Sequence, residues 1–585
     1  MTPRNADLLL GIAIVLPFAL AVPALLMGGV RRMRRLFASL YAGATAGFGF
    51  ALLAGFLTVE RTVRWGPIRL DRFTFPLFLM VNLLGAAVVL YAGFRRDEGK
   101  RPGLLHACMS GAIGFAGLAV LSRTLPSLVI FTEAVTVLAF AGLAASGATR
   151  RTFRGMLAWL ASDALFVLGA VLCRSLLAEK AVLIQPPLTR GTEAQVVTVV
   201  ALFLAAAALR LGAFPFAFWL REVADGADTA WSALFLGVLN FVLSGFRLVV
   251  AAVLLARLVA GNWGPGLVAW AAVTVVVGAW TALRAGSAGG FLAGIYSMQG
   301  GLLLMGLALF SRGGLGSTLF ILMACPVALA AAFMASGTAS DCRGSAVLEG
   351  HGLSARLAPA ALVSTLLAGL SLSGAPPLAG FPPGATLVAA GLERASVQQA
   401  YALAVLAVLA GVVLATAASI RLATGLFDGS DAPSKGSRRP EAVESLVMMG
   451  LCLASLLLGL FPGLLATNFA EGASFLLFER GFAGPVVVIK GSGPLVEAVQ
   501  GLYKTWGQAG AAFLLVPAVL VMALYLANRA ARPSAGDPAR FAPFVGGATV
   551  EYPVQPRTEV RAQEPAGSWF PLPRALQRLA RRWNR

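Results

Sequence analysis

Charged residues, histidine and closely spaced cysteine are scarce in this chain, and each scarcity excludes a class of protein. Only 12% of its 585 residues are charged, whereas soluble domains carry roughly 25%. Two histidines and five cysteines are present, and no CxxC or other metal-ligand spacing links them. We therefore expect no metal, haem or iron–sulfur site, no bound cofactor and no soluble catalytic domain.

Long apolar runs occupy most of the sequence instead. Hydrophobic residues make up 58% of the chain, and its mean hydropathy is +0.82. Each run is long enough to cross a hydrocarbon core of about 30 Å as a helix, so the sequence predicts an all-α integral membrane protein with about 15 transmembrane helices. The predicted spans are 7–29, 36–58, 74–94, 104–122, 125–146, 155–177, 195–220, 230–257, 266–284, 289–310, 316–337, 357–393, 400–426, 442–464 and 510–529.

The basic residues lie between the spans, and their distribution predicts the orientation of the chain. The net charge is +20, but the Arg and Lys residues form no single stripe of the kind that binds nucleic acid. One alternate set of loops, together with the C-terminal tail, carries the excess, which places the tail in the cytoplasm and the N-terminus outside. The predicted location is the cell inner (plasma) membrane, with the lipid bilayer as surroundings and no nucleic-acid partner.

Two segments outside the main spans are each compatible with more than one structure. Residues 467–508 are mixed and Gly-rich, and their sequence is compatible with a surface loop, a lateral helix or a re-entrant piece. The final stretch, FPLPRALQRLARRWNR, has the leucine and arginine spacing of a short basic amphipathic helix that binds a membrane surface or a partner. A disordered, positively charged tail is the alternative.

Glycine and proline interrupt two of the spans. The breaks lie in LRLGAFPFAFWL of the seventh span and in SLSGAPPLAGFPPG of the twelfth, and they free backbone groups that cannot remain unsatisfied against lipid. The predicted hinge residues are Gly212, Pro215, Gly374, Pro376, Pro377 and Gly380. Breaks five spans apart indicate two five-helix repeats, and paired broken helices mark the transport site in repeat-built transporters. Purely structural kinks are the alternative interpretation.

This pattern divides the chain into five predicted regions. They are residues 1–103 with helices 1–3, residues 104–260 with helices 4–8 as the first repeat, residues 261–430 with helices 9–13 as the second repeat, residues 431–530 with helices 14–15 and a connecting segment, and residues 531–585 as a basic cytoplasmic tail.

Few ionisable residues fall inside the predicted spans. A charge in mid-bilayer costs about 2.5 to 3.5 kcal/mol on insertion scales, so it normally faces a partner or water. Glu133 in the fifth span and Arg210 beside the first break are predicted to form a charge pair, either as a switch in a proton path or as a static ion pair. Arg247 is predicted to snorkel or to bond a carbonyl, and the role of Asp163 in the sixth span stays open.

These residues lie in motifs that resemble those of the antiporter-like, proton-conducting membrane subunits of respiratory complex I, a family shared with membrane-bound hydrogenases and multisubunit Na⁺/H⁺ antiporters. The likeness covers roughly residues 70 to 465. It is carried by the seventh-helix segment from Leu209 to Gly237, by the twelfth-helix segment from Leu370 to Leu387, by Glu133 and by the pair Phe246–Arg247.

The resemblance implies a 14-helix core with two inverted five-helix repeats, broken helices 7 and 12, and a polar axis along the membrane midplane. In the family, protons are thought to cross through lysines and a glutamate on helices 5, 7, 8 and 12, driven by a redox reaction elsewhere in the complex. The chain itself would then be a non-redox membrane subunit of a proton-translocating oxidoreductase.

Several positions depart from the family motifs. Lysine is replaced by Arg210 in the seventh helix, by Val238 in the eighth and by Gly384 in the twelfth. In the seventh-helix motif the histidine is replaced by Ala217 and the proline after Trp219–Leu220 by Arg221. The charged segment that leads into the tenth helix falls on Ser287, Gly289 and Gly290. The sequence therefore predicts a polar axis that has lost most of its titratable side chains, and a proton path that is degenerate.

Three functions follow from this combination. The leading hypothesis is a membrane-arm, antiporter-like subunit of a complex I-like assembly of the NADH-quinone oxidoreductase or hydrogenase type, with other membrane subunits as partners. The second is a subunit of a cation/proton antiporter, of the Mrp type, or of an inorganic-carbon uptake complex. The third is a non-conducting scaffold subunit.

Overall fold

A computed structural model describes residues 3–59, 63–65, 68–70, 73–95, 101–176, 193–256, 263–345, 347–348, 357–427 and 439–465, with short pieces at 497–498, 544–545 and 548–549. The chain forms two compact units, residues 1–515 and 516–585. In the second unit the described part is a two-stranded antiparallel hairpin, β3 (Phe544–Val545) and β4 (Ala548–Thr549). The predicted span 510–529, nearly all of segment 467–508 and the C-terminal amphipathic stretch lie outside the described residues.

The first unit is built from helices, with one short hairpin. Its helices are α1 (Pro3–Met27), α2 (Arg31–Val59), α3 (Thr74–Phe94), α4 (Pro102–Val120), α5 (Leu125–Ser146), α6 (Arg150–Leu176), α7 (Glu193–Leu211), α8 (Phe218–Gly226), α9 (Thr229–Trp231), α10 (Phe241–Ala256), α11 (Gly264–Leu283), α12 (Ala288–Ala308), α13 (Arg312–Arg343), α14 (Pro359–Ser373), α15 (Phe381–Val397), α16 (Ala402–Phe427), α17 (Ala442–Leu460) and α18 (Pro462–Leu465). A π-helix, Ser232–Asn240, joins α9 to α10, and a 3₁₀ turn, Gln399–Tyr401, precedes α16. The hairpin strands are β1 (Val63–Trp65) and β2 (Ile68–Leu70).

The predicted fold class is confirmed. Within the described residues, 13 helical segments are long and apolar enough to cross a membrane, as the hydropathy of the sequence predicted. The twelfth predicted span forms the two shorter helices α14 and α15, which are separated by residues 374–380. The seventh is also divided, into α7 and α8, and α8 continues to Gly226, six residues beyond the predicted end.

The pair α14–α15 crosses the bundle once. At the end of α13, Arg343 donates a hydrogen bond to the carbonyl of Gly425 near the end of α16, so both helices end at the same face, which we call face A. At the opposite face, face B, Tyr401 lies against Gly264 at the start of α11. The chain therefore leaves face A after α13 and reaches face B before α16. Together with the 13 long helices, this crossing gives the predicted 14-helix core.

Helices α4 to α10 and α11 to α16 form two five-span sets that pack in the same order. In each set the first span contacts the second, the third contacts the broken fourth, and the fourth contacts the fifth. Since five is an odd number of crossings, the second set starts at the face opposite to the first. The two sets are therefore inverted relative to each other in the membrane.

One arginine links three parts of the bundle at face A. Arg95, directly after α3, donates to Asp228 at 2.5 Å and to Asp341 at 2.7 and 3.0 Å. Asp228 begins the eighth span and Asp341 lies near the end of α13, so the arginine joins the N-terminal helices to both five-span sets. Although burial alone would lower the pKa of Arg95, the nearby Asp228, Tyr91 and Asp341 raise it well above its ordinary value.

The lateral surface of the bundle is apolar. Large side chains on the outer helices are strongly exposed, for example Val15, Phe50, Val171, Val413 and Leu446. The central segments Thr229–Ala251, α12 and α13 are instead completely buried over their most apolar windows. An exposed apolar exterior around a buried interior is the arrangement expected of a multi-pass protein in a bilayer.

Candidate functional site: a charge centre beside the first broken helix

The break between α7 and α8 is shaped by residues that the sequence identified as hinges. Gly212 has a φ of +62°, and a Cβ at this position would lie 2.2 Å from the Leu220 side chain. Only glycine fits this left-handed and crowded position without strain. Pro215 follows in a cis peptide bond. The helix consequently ends immediately after Arg210 and Leu211.

The backbone groups freed by this break find partners inside the protein. The indole of Trp219 donates to the carbonyl of Leu209 at 2.8 Å. Ser297 of α12 donates to the carbonyl of Gly212 at 2.6 Å, and Trp270 of α11 donates to that of Phe214 at 2.5 Å. Two of these donors come from the second five-span set, so the break is held at the interface between the sets.

A buried carboxylate lies between two buried guanidinium groups next to this break. Asp163 of α6 accepts from Arg210 at 2.6 Å through one oxygen and from Arg247 of α10 at 2.7 Å through the other. The exposed fractions are 3% for the Asp163 side chain, 1% for Arg210 and 0% for Arg247. Three helices are thereby joined by charge in the interior of the membrane segment.

Neutral polar groups complete the surroundings of Arg210. Thr136 of α5 donates to Asp163 at 2.7 Å and accepts from Arg210. Asn240, the last residue of the π-helix, accepts from Arg210 at 3.1 Å, and its amide nitrogen donates to the Tyr296 hydroxyl at 2.7 Å. This chain of hydrogen bonds extends the charge centre from α5 to α12, which belongs to the second set.

Aromatic rings cover both guanidinium groups. Arg210 lies over the Trp159 ring at 4.5 Å, and Arg247 lies over the Phe166 ring at 4.4 Å. Both rings come from α6, the helix that also supplies Asp163. Cation–π contacts are strongest where water is excluded, so the rings stabilise positive charge on the sides of the arginines that the carboxylate does not reach.

The predicted pairing of Glu133 with Arg210 is not formed in the structure. Glu133 Oε1 is buried and has no hydrogen-bond partner among the described residues, and Asp163 is the carboxylate that binds Arg210. Glu133 still lies close enough to Asp163, Arg247 and Arg210 to interact with them electrostatically. Its predicted part in a proton path stays a prediction.

Arg247 also differs from its prediction, because it binds a carboxylate and not a carbonyl. The sequence showed that Asp163, Arg210 and Arg247 lie inside spans, but it did not show that α6, α7 and α10 meet. One signal was available: two deeply placed arginines require acceptors, and Asp163 lies 13 residues beyond Arg150, the first residue of its helix. That depth places the carboxylate near the middle of the membrane.

The second break has the same backbone design but no charge. Gly374 has a φ of +84°, a Cβ on Gly380 would lie 1.9 Å from the carbonyl oxygen of Ser371, and Pro376–Pro377 is cis. Gln299 donates to the carbonyl of Leu372 at 2.6 Å. A cavity beside the break is lined mainly by apolar groups, together with polar side chains of Gln299, Ser371 and Ser373, and its lining includes no acidic or basic side chain.

Two of the departures from the lysine motifs can be placed directly. Val238 is completely buried within the π-helix. Gly384 lines the cavity, and a Cβ added there would meet nothing within 4 Å. Within the described part of the chain, no group of three or more His, Cys, Asp or Glu side chains is arranged to hold a metal ion.

Comparisons with known proteins agree with this architecture. The family model described as "NADH:quinone oxidoreductase/Mrp antiporter, TM" matches residues 125–411. The chain is 26% identical over 445 residues to NADH-quinone oxidoreductase subunit N of Moorella thermoacetica, covering 74% of this chain and 92% of that protein. It is 32% identical over 161 residues to subunit N of Rhodococcus opacus, covering 27% and 30% of the two chains.

Solved structures show the same fold. A chain of the Mrp complex from Dietzia sp. DQ12-45-1b is similar with a TM-score of 0.70 at 21% identity, covering 91% of this chain. This chain spans 64% of the length of that Mrp chain. A chain of respiratory complex I from Thermus thermophilus is similar with a TM-score of 0.66 at 22% identity, covering 80% of this chain and 99% of that one.

Proposed function

We propose, from the premise that this chain belongs to the family of antiporter-like membrane subunits, that it is a membrane-arm subunit of a complex I-like, ion-translocating assembly. The observation that carries the proposal is the buried charge centre of Asp163, Arg210 and Arg247 beside a broken helix. Several intramembrane ionisable groups in contact are costly, and they normally mark an ion or proton pathway. The names of the subunit N relatives support the same assignment.

Within the centre, the proton-exchanging group that we propose is Glu133. An arginine remains protonated in proteins, so Arg210 and Arg247 supply fixed positive charge. Asp163 already binds one of them through each of its two oxygens. Glu133 Oε1, Arg210 Nε, and Arg247 Nε and Nη2 are buried without hydrogen-bond partners among the described groups. Water beside these atoms would connect Glu133 to the charge centre by hydrogen bonds. The protonation of Glu133 would then depend on the charges of the centre.

The two five-span sets differ in what they can contribute. The first set holds the charge centre, whereas the cavity at the second break is lined by neutral groups. A proton that crosses the second set would therefore need ordered water, without a side chain at the break to receive it. This asymmetry is the specific observation that favours the scaffold hypothesis as the second candidate function.

The proposed orientation places face A in the cytoplasm. Arg31, Arg35, Arg95 and Arg151 all lie at or near this face, paired with acidic groups in the same region. An excess of basic residues marks the cytoplasmic side of membrane proteins. The predicted cytoplasmic location of the tail, residues 531–585, is part of the same proposal.

The partners that we propose are other membrane subunits. The apolar outer helices offer surfaces for lipid and for neighbouring subunits, and the structural relatives are chains of multisubunit complexes. Our proposal for the regions of the chain remains the division into residues 1–103, 104–260, 261–430, 431–530 and 531–585. In it, the two repeats form the conducting part.

The first experiment is to tag the C-terminus, solubilise the membranes gently and identify copurifying proteins by mass spectrometry. We expect quinone-reductase or hydrogenase-type subunits together with a flavin or iron–sulfur signal. Small antiporter subunits, or a carbonic-anhydrase-like partner with no redox centre, would contradict the complex I-like assignment. They would support the antiporter or inorganic-carbon alternative instead.

The second experiment tests conduction in the purified assembly, reconstituted into liposomes. Glu133→Gln removes the charge and keeps the size, so we expect redox-driven acidification to fall at least several-fold while electron transfer per enzyme changes much less. Glu222→Gln is the matched control, because Glu222 is paired with Arg151 at the surface. Unchanged acidification by Glu133→Gln would favour the scaffold hypothesis.

A further inference from the structure

A second group of buried polar atoms lies in the first four helices, away from the broken helices. Helices α1 and α3 each contact both α2 and α4, so α2 and α4 lie across the diagonal of a four-helix arrangement. On α2 the hydroxyls of Tyr41 and Thr45, and on α4 His106 Nε2 and Ser110 Oγ, are buried without a hydrogen-bond partner among the described residues. The exposed fractions of the four residues are between 0% and 5%.

The four polar atoms lie on the faces of α2 and α4 that contact α3. Tyr41 and Thr45 are four residues apart, and so are His106 and Ser110, which places each pair on one side of its helix. On α2 the same side contacts α3, because a Cβ on Gly93 of α3 would touch Ala38. On α4 it also contacts α3, because a Cβ on Gly85 would touch Ile113.

These contacts set the depth of each residue. From the contact of Ala38 with Gly93, three residues along α2 lead to Tyr41 and three residues back along α3 lead to position 90. From the contact of Ile113 with Gly85, seven residues back along α4 lead to His106 and seven residues along α3 lead to position 92. Since each residue advances a helix by 1.5 Å, Tyr41 and His106 lie within about 3 Å of the same depth.

The same count places Thr45 opposite position 86 of α3 and Ser110 opposite position 88. Thr45 and Ser110 therefore form a second layer, one helical turn further from face A.

On the face A side, Arg34 and Asp228 lie near His106, and Asp228 is bound by Arg95. Towards face B the bundle is closed by a separate apolar cluster that includes Leu10, Leu52, Phe75, Phe78 and Leu121.

Unpaired polar atoms in a buried region require an explanation, and ordered water is the usual one. A buried water makes two to four hydrogen bonds and remains where several polar groups converge. Two layers of hydroxyl and imidazole groups at matched depth provide such a site. Without water, each of the four polar atoms would carry its own desolvation penalty in one small region.

We propose that Tyr41, Thr45, His106 and Ser110 line an internal water-binding pocket that extends from near face A towards the membrane midplane. His106 Nδ1 lies 3.0 Å from the carbonyl of Pro102. With the ring proton donated to that carbonyl, Nε2 is an acceptor for a pocket water. A pocket water would thus give the buried imidazole a hydrogen-bond partner that no described residue supplies.

Thermal unfolding of the full-length protein in detergent tests the hydration of this pocket. The sign of the change in melting temperature, when a pocket hydroxyl is removed, separates a wet pocket from a dry one. If water satisfies the hydroxyls, Tyr41→Phe, Thr45→Val and Ser110→Ala each remove hydrogen bonds and lower the melting temperature, and the triple variant lowers it most. If the pocket is dry, the same changes remove unsatisfied groups and raise the melting temperature. A rise or no change in all three would overturn the proposal.

Ser162→Ala calibrates the assay, because the Ser162 hydroxyl is buried and donates to the carbonyl of Ala206 at 2.7 Å. This variant should lower the melting temperature whether or not the pocket is wet. If the triple variant does not fold, a cryo-electron microscopy map of the wild type that resolves ordered water decides. We expect density within hydrogen-bond distance of His106 Nε2 and of the Tyr41 hydroxyl.

Absence of density at both atoms, in a map that shows water elsewhere inside the protein, would contradict the pocket. Neither measurement depends on transport activity. A failure of the Glu133→Gln prediction therefore leaves this proposal unaffected, and a dry pocket leaves the proposed function unaffected.

Discussion

Removal of the Asp163 carboxylate should be among the most damaging single changes in the membrane interior. Asp163→Asn keeps the volume of the side chain but leaves Arg210 and Arg247 facing each other without an anion between them. Both guanidiniums are at most 1% exposed, so solvent cannot screen the repulsion. Breaking one buried ion pair costs about 3 to 5 kcal/mol. Because an asparagine oxygen can still accept one hydrogen bond, we expect a loss of about 3 kcal/mol or more in the free energy of unfolding.

Denaturant-induced unfolding in mixed detergent micelles measures this loss, and a double-mutant cycle separates charge from packing. Arg247→Met removes one of the two positive charges, so Asp163→Asn combined with Arg247→Met restores the net charge of the centre. We expect the double variant to be clearly less destabilised than the sum of the two single variants. A cost below about 1 kcal/mol for Asp163→Asn, or strict additivity in the cycle, would refute the assignment of this triad as a coupled charge centre.

Three further predictions concern the breaks and face A. Gly384→Ala should stabilise the protein by about 0.5 to 1 kcal/mol, since α15 gains a better helix former in open space. Gly380→Ala should instead be destabilising, because its Cβ would meet the carbonyl of Ser371. Equal melting temperatures for the two variants would contradict this prediction. Gln299→Ala should cost about 1 to 3 kcal/mol by leaving the Leu372 carbonyl without its donor, and a neutral effect on the unfolding midpoint would show that the donor is replaced. The stabilisation from Arg95 should persist from neutral to mildly alkaline pH, because its raised pKa means that the charge is lost only above the ordinary arginine range. The difference in unfolding free energy between wild type and Arg95→Met should therefore stay constant from pH 7 to about pH 9. A marked fall of this difference over that range would contradict the assignment of Arg95 as a charged link.

The sequence was sufficient for the 14 crossings that lie within the described residues and for the two breaks. Each span is a continuous apolar run, and the Gly–Pro clusters around Gly212 and Gly374 left few alternatives to interrupted helices. The helix ends were less well predicted, because α8 continues past Leu220 with polar residues that hydropathy assigns to a loop. Such a segment lies at face A, where hydrophobicity no longer decides the structure.

The partners of the buried charges could not be predicted in the same way. Glu133 and Arg210 are ionisable and deep, and the cost of burying each charge alone suggested that they pair. The structure places Asp163 between Arg210 and Arg247, because α6 packs beside α7 and presents its carboxylate at the level of the break. Which helices adjoin is decided by packing along their whole lengths, and a single sequence without related sequences does not contain that information.

The position of Arg95 has a consequence for how the chain is made. Its first carboxylate partner, Asp228, is synthesised 133 residues later, and its second, Asp341, 246 residues later. During membrane insertion the arginine therefore has neither carboxylate until the eighth span begins, and it lacks the second one until α13 has been made. Arg95 thus couples the docking of the N-terminal helices to the completion of the second five-span set, and a chain truncated before α13 would leave the third helix incompletely anchored.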